Sequence, residues 1–275
     1  MTCSEQEWSY LEVGMSQGAS RVIGCRSIAP IRIINPRVRS SSCHVLIANY
    51  GGGMVDGDRV CLRVTCREGA RLNVGSVGNM QVYGSLGNGC TQTITGRLER
   101  DTLCVFNSDP VVLHSGSRFE QRCDWDLHRD SSLLFSEWVV AGRLETGERF
   151  DFDSYVSEFT VLVDGRPLIV DRFEFRPDES DYRDPAMFRG LACLLNVYMV
   201  GLKWSNLAEV LASETDRRRD SDSRTLAAIY PVQQHGYILR ALSEDRGSLT
   251  WIAEAISRFL SHEEYLGFDP AERKY

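Results

Sequence analysis

The sequence predicts a mainly β protein with two α-helices in its C-terminal third. Between residue 19 and about residue 175, short apolar or alternating runs are separated by turn signals. Helical periodicity is scarce in that region, and amphipathic patterns of helical period appear only after residue 205. These patterns alone fit a β-sandwich, a β-barrel or a β-solenoid.

The strands are recognised by their two-residue alternation. Val60, Leu62 and Val64 share one strand face, and residues 119–127 repeat the same period with Gln121 among apolar neighbours. Asp164 and Gly165 form a typical hairpin turn pair inside FTVLVDGRPLIV. The region is therefore predicted to be a succession of strands.

The helices are predicted over residues 206–214 and 248–263. The second segment places Leu249, Ile252, Ile256, Phe259 and Leu260 on one stripe. Such a stripe serves either the core or a docking surface. Residues 226–232 and 236–245 return to strand patterns.

Length and composition indicate a single domain over residues 1–275. The chain has 275 residues, 43% of them hydrophobic, which is enough for a substantial core. Strands resume after the charged, apolar-free segment 215–224, so we expect a mobile loop there and not a domain linker. The ends, residues 1–8 and 268–275, are predicted to be loose.

Charge, hydrophobicity and cysteine usage indicate which classes of partner and which cellular compartment to expect. A net charge of −7 argues against nucleic acid as a partner. No run approaches the length of a membrane span, and the N-terminus lacks the regions of a signal peptide, so we expect a cytoplasmic protein with no membrane partner. The nine cysteines form no C-x-x-C, which favours reduced, buried thiols.

Several short motifs partly match the sequence patterns of enzyme active sites. GMSQG fits the nucleophile-elbow pattern with Ser16 at its centre, but strand-like sequence follows where a helix is required. The glycine clusters at 51–53 and 84–89 lack the spacing of phosphate-binding loops. None of the five histidines is paired at metal-ligand spacing.

Acidic residues in unusual contexts are the stronger candidates. Asp56 and Asp58 lie beside glycines, and Glu137 lies inside the apolar run LLFSEWVV. A buried carboxylate needs a cation or a hydrogen-bond donor, and Arg143 or Arg149 is a candidate partner for Glu137. An ordinary Glu–Arg pair or an outward-facing strand position remains the alternative for Glu137.

Two further function classes remain open at this point. One is a hydrolase that uses Ser16 or the pair Asp56 and Asp58. The other is a divergent β-rich binding module for sugars or peptides, which would need an exposed aromatic platform. Trp125 and Trp138 are the strand-borne tryptophans of the β region, and both appear in core-facing positions.

Four segments together resemble the D/H type of urease accessory protein, UreD or UreH. They are GGGMVDGDRV (51–60), RLNVGSVGNMQVYGS (71–85), NSDPVVLHSGSRFEQ (107–121) and SEWVVAGRLETGERFDFD (136–153). The resemblance extends roughly from residue 19 to residue 262. Asp56 and Gln81 stand where the family usually has glycine and lysine.

The resemblance implies a long succession of antiparallel and solenoid-like strands and no catalytic activity. It implies partners, namely an F-type urease accessory protein, a G-type GTPase and apo-urease. It also implies transient Ni(II) as cargo, carried without a permanently bound cofactor through a polar internal passage.

Site residues follow from the same resemblance and from metal chemistry. Isolated oxygen ligands bind a passing cation weakly at several points, whereas imidazole or thiolate clusters would retain it. We predict that the passage is lined by Asp58, Glu137, Ser76 and, in this chain, Asp56. Structural or interface roles are predicted for Gly52, Gly53, Gly57, Gly142, Arg143 and Glu148.

Overall fold

The computed structural model describes residues 4–219, 224–233 and 236–271 and confirms the mainly β, solenoid-like fold. The strands are β1 (Trp8–Ser16), β2 (Ala19–Arg26), β3 (Ile31–Ile34), β4 (Cys43–Asn49), β5 (Gly53–Met54), β6 (Arg59–Cys66), β7 (Arg71–Ser76), β8 (Met80–Val82), β9 (Cys90–Leu98), β10 (Leu103–Asn107), β11 (Val111–Leu113), β12 (Arg118–Leu127), β13 (Ser132–Val140), β14 (Ser154–Val163), β15 (Arg166–Phe175), β16 (Cys193–Val200), β17 (Thr225–Val232) and β18 (Gly236–Ser243). The helices are α1 (Pro185–Phe188), α2 (Ser205–Arg219) and α3 (Thr250–Leu260).

Two sheets face each other across the solenoid. One has the strand order β15-β14-β12-β9-β6-β1-β2, and the path of the other is β17-β18-β16-β13-β10-β7-β4-β3. From β6 to β14 the chain alternates between them, so each coil adds one strand to each sheet. Neighbouring strands from successive coils are therefore parallel, as in β6–β9–β12 and β7–β10–β13.

A short third face closes the coils. β8 pairs in parallel with β5 on one side and with β11 on the other. β11 also pairs with the second half of β13. Antiparallel hairpins flank the parallel region, among them β14–β15, whose turn residues Asp164 and Gly165 both have positive φ. This confirms the predicted hairpin, since that turn type requires positive φ at both central positions.

Two hydrophobic clusters stabilise this architecture. The larger lies between the facing sheets and includes Val60, Leu62, Val64 and Trp125. Trp125 lies directly over Gly96, where a Cβ atom would come within 1.9 Å of the indole ring. The second cluster joins the outer face of the β13–β16–β18 sheet to α2 and α3.

Helix α3 uses its apolar stripe for the core. Leu249, Ile252, Ile256 and Leu260 are all buried in the second cluster, and Phe259 packs against it. The alternative role of this stripe as a docking surface is therefore not supported.

Helix α2 is longer than the sequence pattern suggested. It continues through Arg219, where a mobile loop was expected from residue 215; residues 220–223 lie outside the described part. Ion pairs from Arg217 and Arg218 to Glu214, and from Arg219 to Asp216, join residues three and four apart. Such pairs, with basic side chains near the helix C-terminus, stabilise a helical turn that has no apolar face.

The chain ends are more ordered than expected where they are described. Residues Glu5–Glu7 form a 3₁₀ turn and β1 begins at Trp8, while residues 1–3 are outside the described part. Near the other end, the Phe268 ring meets His44 edge-on and Asp269 accepts a hydrogen bond from Ala271 N. Residues 272–275 are likewise not described.

The described cysteines follow the prediction of reduced, buried thiols with two exceptions, Cys25 and Cys61. Free thiols are found at Cys25, Cys43, Cys66, Cys90, Cys104, Cys123 and Cys193, and all of these except Cys25 are buried. Cys61 is disulfide-bonded, contrary to the expectation of reduced thiols.

Candidate functional site

The glycine-rich turn after β4 depends on backbone conformations and close backbone contacts that glycine allows. Gly52 and Gly57 adopt φ of 77° and 86°, in the left-handed region that favours glycine. Gly53 is extended and pairs with Gln81 in β8, and a Cβ atom on it would lie 2.3 Å from the Gln81 carbonyl oxygen. The predicted structural role of these three glycines is consistent with this geometry.

Asp58 and Asp56 hold this turn in place. Asp58 Oδ2 accepts a hydrogen bond from Val55 N at 2.9 Å. Asp56 accepts hydrogen bonds from Ser85 Oγ, from the backbone and side chain of Asn88, and from Gly89 N. The bond from Ser85 is the main cause that lowers the pKa of Asp56. Asp56 thereby ties the turn to the loop that contains Ser85–Gly89.

A second glycine-containing motif follows β13. Gly142 has φ of 123°, and a Cβ atom on it would lie 2.4 Å from the Glu148 carbonyl oxygen. Arg143 donates to both carboxylate oxygens of Glu148, with Nε–Oε2 at 2.8 Å and Nη2–Oε1 at 3.1 Å. These bonds hold the pKa of Glu148 at about 2. The pair is the Arg–carboxylate fork expected of a structural element.

A cavity of about 70 Å³ lies between the two sheets. Its lining changes from partly exposed residues, among them Ser76 and Asp109, to the buried residues Gln121 and Glu137. Most of the other lining residues are apolar, and the volume is large enough for several water molecules beside the polar groups. The cavity therefore extends from a partly buried end at Ser76 and Asp109 to a buried carboxyl group.

The outer end is organised by Ser76 and Asp109. Ser76 Oγ donates to Asp109 Oδ2 at 2.8 Å and accepts from Asp109 N at 2.7 Å. Arg246 Nη2 lies 3.5 Å from Asp109 Oδ1. This end thus presents hydroxyl and carboxylate oxygens beside one guanidinium group.

Glu137 forms the inner end and is held by neutral donors. Oε1 accepts hydrogen bonds from Gln121 Nε2 at 2.7 Å, from Tyr155 Oη at 2.9 Å and from Ser157 Oγ. Oε2 accepts one from Asn196 Nδ2 at 3.0 Å. Among the described residues no lysine or arginine forms an ion pair with Glu137. The suggested pairing with Arg143 or Arg149 is wrong, because Arg143 binds Glu148 and Arg149 donates to the Gly190 carbonyl.

Burial dominates the electrostatics of Glu137. Loss of hydration disfavours its charged form and raises the pKa of the carboxyl group. Hydrogen bonds from Ser157, Asn196 and Tyr155 act in the opposite direction, and the charge of Asp171 adds to the rise. Asp171 is itself bound by Arg240 at 2.5 Å and by Tyr198 Oη at 2.7 Å.

The structure separates the four residues predicted to line a passage. Ser76 and Glu137 line the same cavity, whereas Asp56 and Asp58 are outside its lining and stabilise the turn. Sequence reasoning missed Gln121 and Asn196, which bind the Glu137 carboxyl group. The available signal was an amide on an otherwise apolar strand face in FEQRCDWDL for Gln121, and an amide inside the apolar run CLLNVYMV for Asn196.

The two other function classes gain no support from the structure. Ser16 is exposed and pairs with Ala19 across a two-residue hairpin, where a nucleophile elbow would need a following helix. Trp125 and Trp138 are buried, so neither provides an exposed aromatic platform.

Two features are absent from the described residues. Over residues 4–219, 224–233 and 236–271, no three His, Cys, Asp or Glu side chains are grouped to hold a metal ion. In the same part of the chain, no helix has the length and apolar character needed to cross a bilayer.

Comparison with known proteins identifies relatives over nearly the whole chain. Residues 8–274 match the sequence model of the UreD urease accessory protein family. Urease accessory protein UreD of Cytophaga hutchinsonii is 32% identical, and the match covers 96% of each chain. UreD of Anaeromyxobacter sp. is 30% identical over 96% of this chain and 88% of its own. Urease accessory protein D of Arabidopsis thaliana is 30% identical over 79% of this chain and 75% of its own.

Proposed function

Because the chain belongs to the UreD family of urease accessory proteins, we propose that it is a non-catalytic maturation factor that delivers nickel into apo-urease. It acts with an F-type urease accessory protein and a G-type GTPase. Nickel is its cargo and passes along the cavity between the sheets, from the Ser76 end toward Glu137.

One observation supports the nickel part of this proposal above all others. Glu137 is a buried carboxyl group that receives four neutral hydrogen bonds and no ion pair among the described residues. Structural carboxylates that are buried normally have a cationic partner. A carboxyl group without one, at the end of a cavity, is suited to a cation that arrives and leaves.

The sparse arrangement of ligands fits a carrier. Oxygen ligands bind Ni(II) less tightly than nitrogen or sulfur ligands, and the two ends of the cavity present them separately. An ion held at one point by few oxygens can move to the next, as in pores where favourable entry must be combined with release. Asp56 and Asp58 contribute indirectly, since they fix the turn that packs against β8.

The test is made in a urease-positive host that lacks the gene for this chain. We expect urease protein to accumulate at normal levels with strongly reduced nickel per active site, measured by elemental analysis of the purified enzyme. Reintroducing the chain restores the metal, and affinity purification recovers the F-type and G-type partners with it.

Normal nickel content in urease from the deletion host would overturn the proposal. A chain that restores nickel without retaining either accessory partner would refute the assembly part and leave the delivery part standing.

A further inference from the structure

The amide of Asn196 occupies an unusual position beside the buried carboxyl group. Asn196 in β16 lies directly opposite Glu137 in β13, in the antiparallel register of the two strands. Its side chain is fully buried, and Nδ2 donates to Glu137 Oε2 at 3.0 Å. The other amide atom, Oδ1, is buried and has no hydrogen-bond partner among the described residues.

An unpartnered buried oxygen is costly, because it has lost its water and gained nothing in return. Half a turn about the last side-chain torsion exchanges Oδ1 and Nδ2. As far as the chain is described, this turn breaks only the bond to Glu137. It would bring the orphaned oxygen to the place where the nitrogen now lies, next to Glu137 Oε2.

The distance between the two positions suits a shared cation. In a six-coordinate complex with metal–oxygen distances of about 2.1 Å, adjacent ligand oxygens lie about 3 Å apart. That spacing matches the separation of Asn196 Nδ2 and Glu137 Oε2. Rotation of the amide therefore creates two adjacent oxygen ligands without moving either strand.

Gln121, the other amide on Glu137, is not free to do the same. Its Oε1 already accepts a hydrogen bond from Gln92 Nε2 at 2.8 Å, while its Nε2 donates to Glu137. Turning it over would break both bonds. Of the two amides, Asn196 is the one that can change its role at low cost.

We propose that Asn196 is a switchable ligand at the inner end of the cavity. Without an ion its amide nitrogen donates to Glu137, and with Ni(II) present its amide oxygen binds the ion together with Glu137 Oε2. This inference rests on the proposed function, since it assigns the ligand that assists Glu137.

The chain offers a matched control in Asn73. Asn73 is also buried, and its Nδ2 lies 2.9 Å from Nδ1 of His44. Within the described part of the chain, its Oδ1 also has no hydrogen-bond partner. Neither amide is among the described residues that line the cavity, but Asn196 is bound to Glu137, which does line it, whereas Asn73 is bound to His44. Asn73→Leu thus makes the same chemical change at a buried amide away from Glu137.

The experiment titrates the purified full-length protein with Ni(II) by calorimetry, after thermal unfolding has verified that each variant is folded. We expect Glu137→Gln and Asn196→Leu to weaken binding by ~10-fold or more, the range seen when metal-site partners are removed. Asn196→Asp keeps a ligating oxygen and is expected to bind at least as tightly as the wild type. Asn73→Leu is expected to bind like the wild type.

The outcomes separate this inference from the proposed function. If Asn196→Leu binds like the wild type while Glu137→Gln does not, Asn196 is no ligand and the nickel path stands. Weak binding by Asn196→Asp means that Asn196 acts only as a donor, which also overturns the inference and remains decisive if Asn196→Leu does not fold. Wild-type affinity in Glu137→Gln removes Glu137 from the path and the inference with it.

Discussion

The turn over residues 49–60 and the inner end of the cavity both contain carboxyl groups, yet their environments are opposite. Asp56 and Asp58 are near the surface, and their hydrogen bonds hold backbone segments together. Glu137 is buried, and its partners are four side chains from three different strands. Carboxylates that look alike in a sequence therefore stabilise the backbone of a turn in one region and line a buried cavity in the other.

The largest expected difference between the two regions is in nickel delivery. Glu137→Gln is expected to lower the nickel content of co-expressed urease by ~10-fold or more, because the amide cannot supply a charged ligand. Asp58→Asn serves as the control outside the cavity, and urease matured with it should contain nearly normal nickel. Elemental analysis of purified urease checks both. Equal losses would show that the two regions do not differ in function.

The stability of the turn should instead be sensitive to added side-chain volume at its glycine positions. Gly53→Ala is expected to lower the free energy of unfolding by about 2–3 kcal/mol, because its methyl group would collide with the Gln81 carbonyl. Gly57→Ala, with positive φ but no atom within 4 Å of the added Cβ, should cost about 1 kcal/mol. Urea denaturation measures both values. Similar losses of unfolding free energy at the two positions would mean that the backbone around Gly53 and β8 can shift to accommodate the methyl group.

Because the pKa of Glu137 is raised, the stability of the folded protein should depend on pH in a way that can be assigned to this residue. The folded protein keeps this proton to higher pH than the unfolded chain, so the contribution of Glu137 to stability falls as pH rises from about 4.5 through its folded pKa. Glu137→Gln removes this dependence. We therefore expect the melting temperature of the variant, relative to the wild type, to increase as pH rises over this window. A constant difference between the two proteins would contradict the raised pKa.

The smallest effect is expected at Asp56. Asp56→Asn removes charge-assisted bonds to Ser85, Asn88 and Gly89 and should speed amide hydrogen exchange at residues 88 and 89. Nickel content of urease should remain unchanged. Unaltered exchange would show that the loop keeps its conformation without the carboxylate.

Much of the fold was accessible from the sequence because alternation and turn chemistry are local. The inward faces of β6 and β12, the Asp164–Gly165 hairpin and the existence of α2 and α3 follow from spacing alone. The C-terminal part of α2 was missed because ion pairs between residues three and four apart can extend a helix that has no apolar pattern.

The candidate site was only partly accessible. Glu137 stands out locally as a carboxylate in an apolar run, and Ser76 was named through family resemblance. Gln121 and Asn196 come from β12 and β16, so their convergence on Glu137 depends on strand register across both sheets. The pairing of Arg143 with Glu148, and not with Glu137, is likewise decided by the left-handed bend at Gly142.

The order of the strands along the chain has a consequence for synthesis on the ribosome. Glu137 emerges with β13, but its neighbour β16 is translated only after the β14–β15 hairpin, which belongs to the opposite sheet. Until residues 193–200 have left the exit tunnel, that edge of β13 is open and Glu137 lacks the amide of Asn196. A nascent chain therefore cannot complete the hydrogen bonds around Glu137 until late in translation.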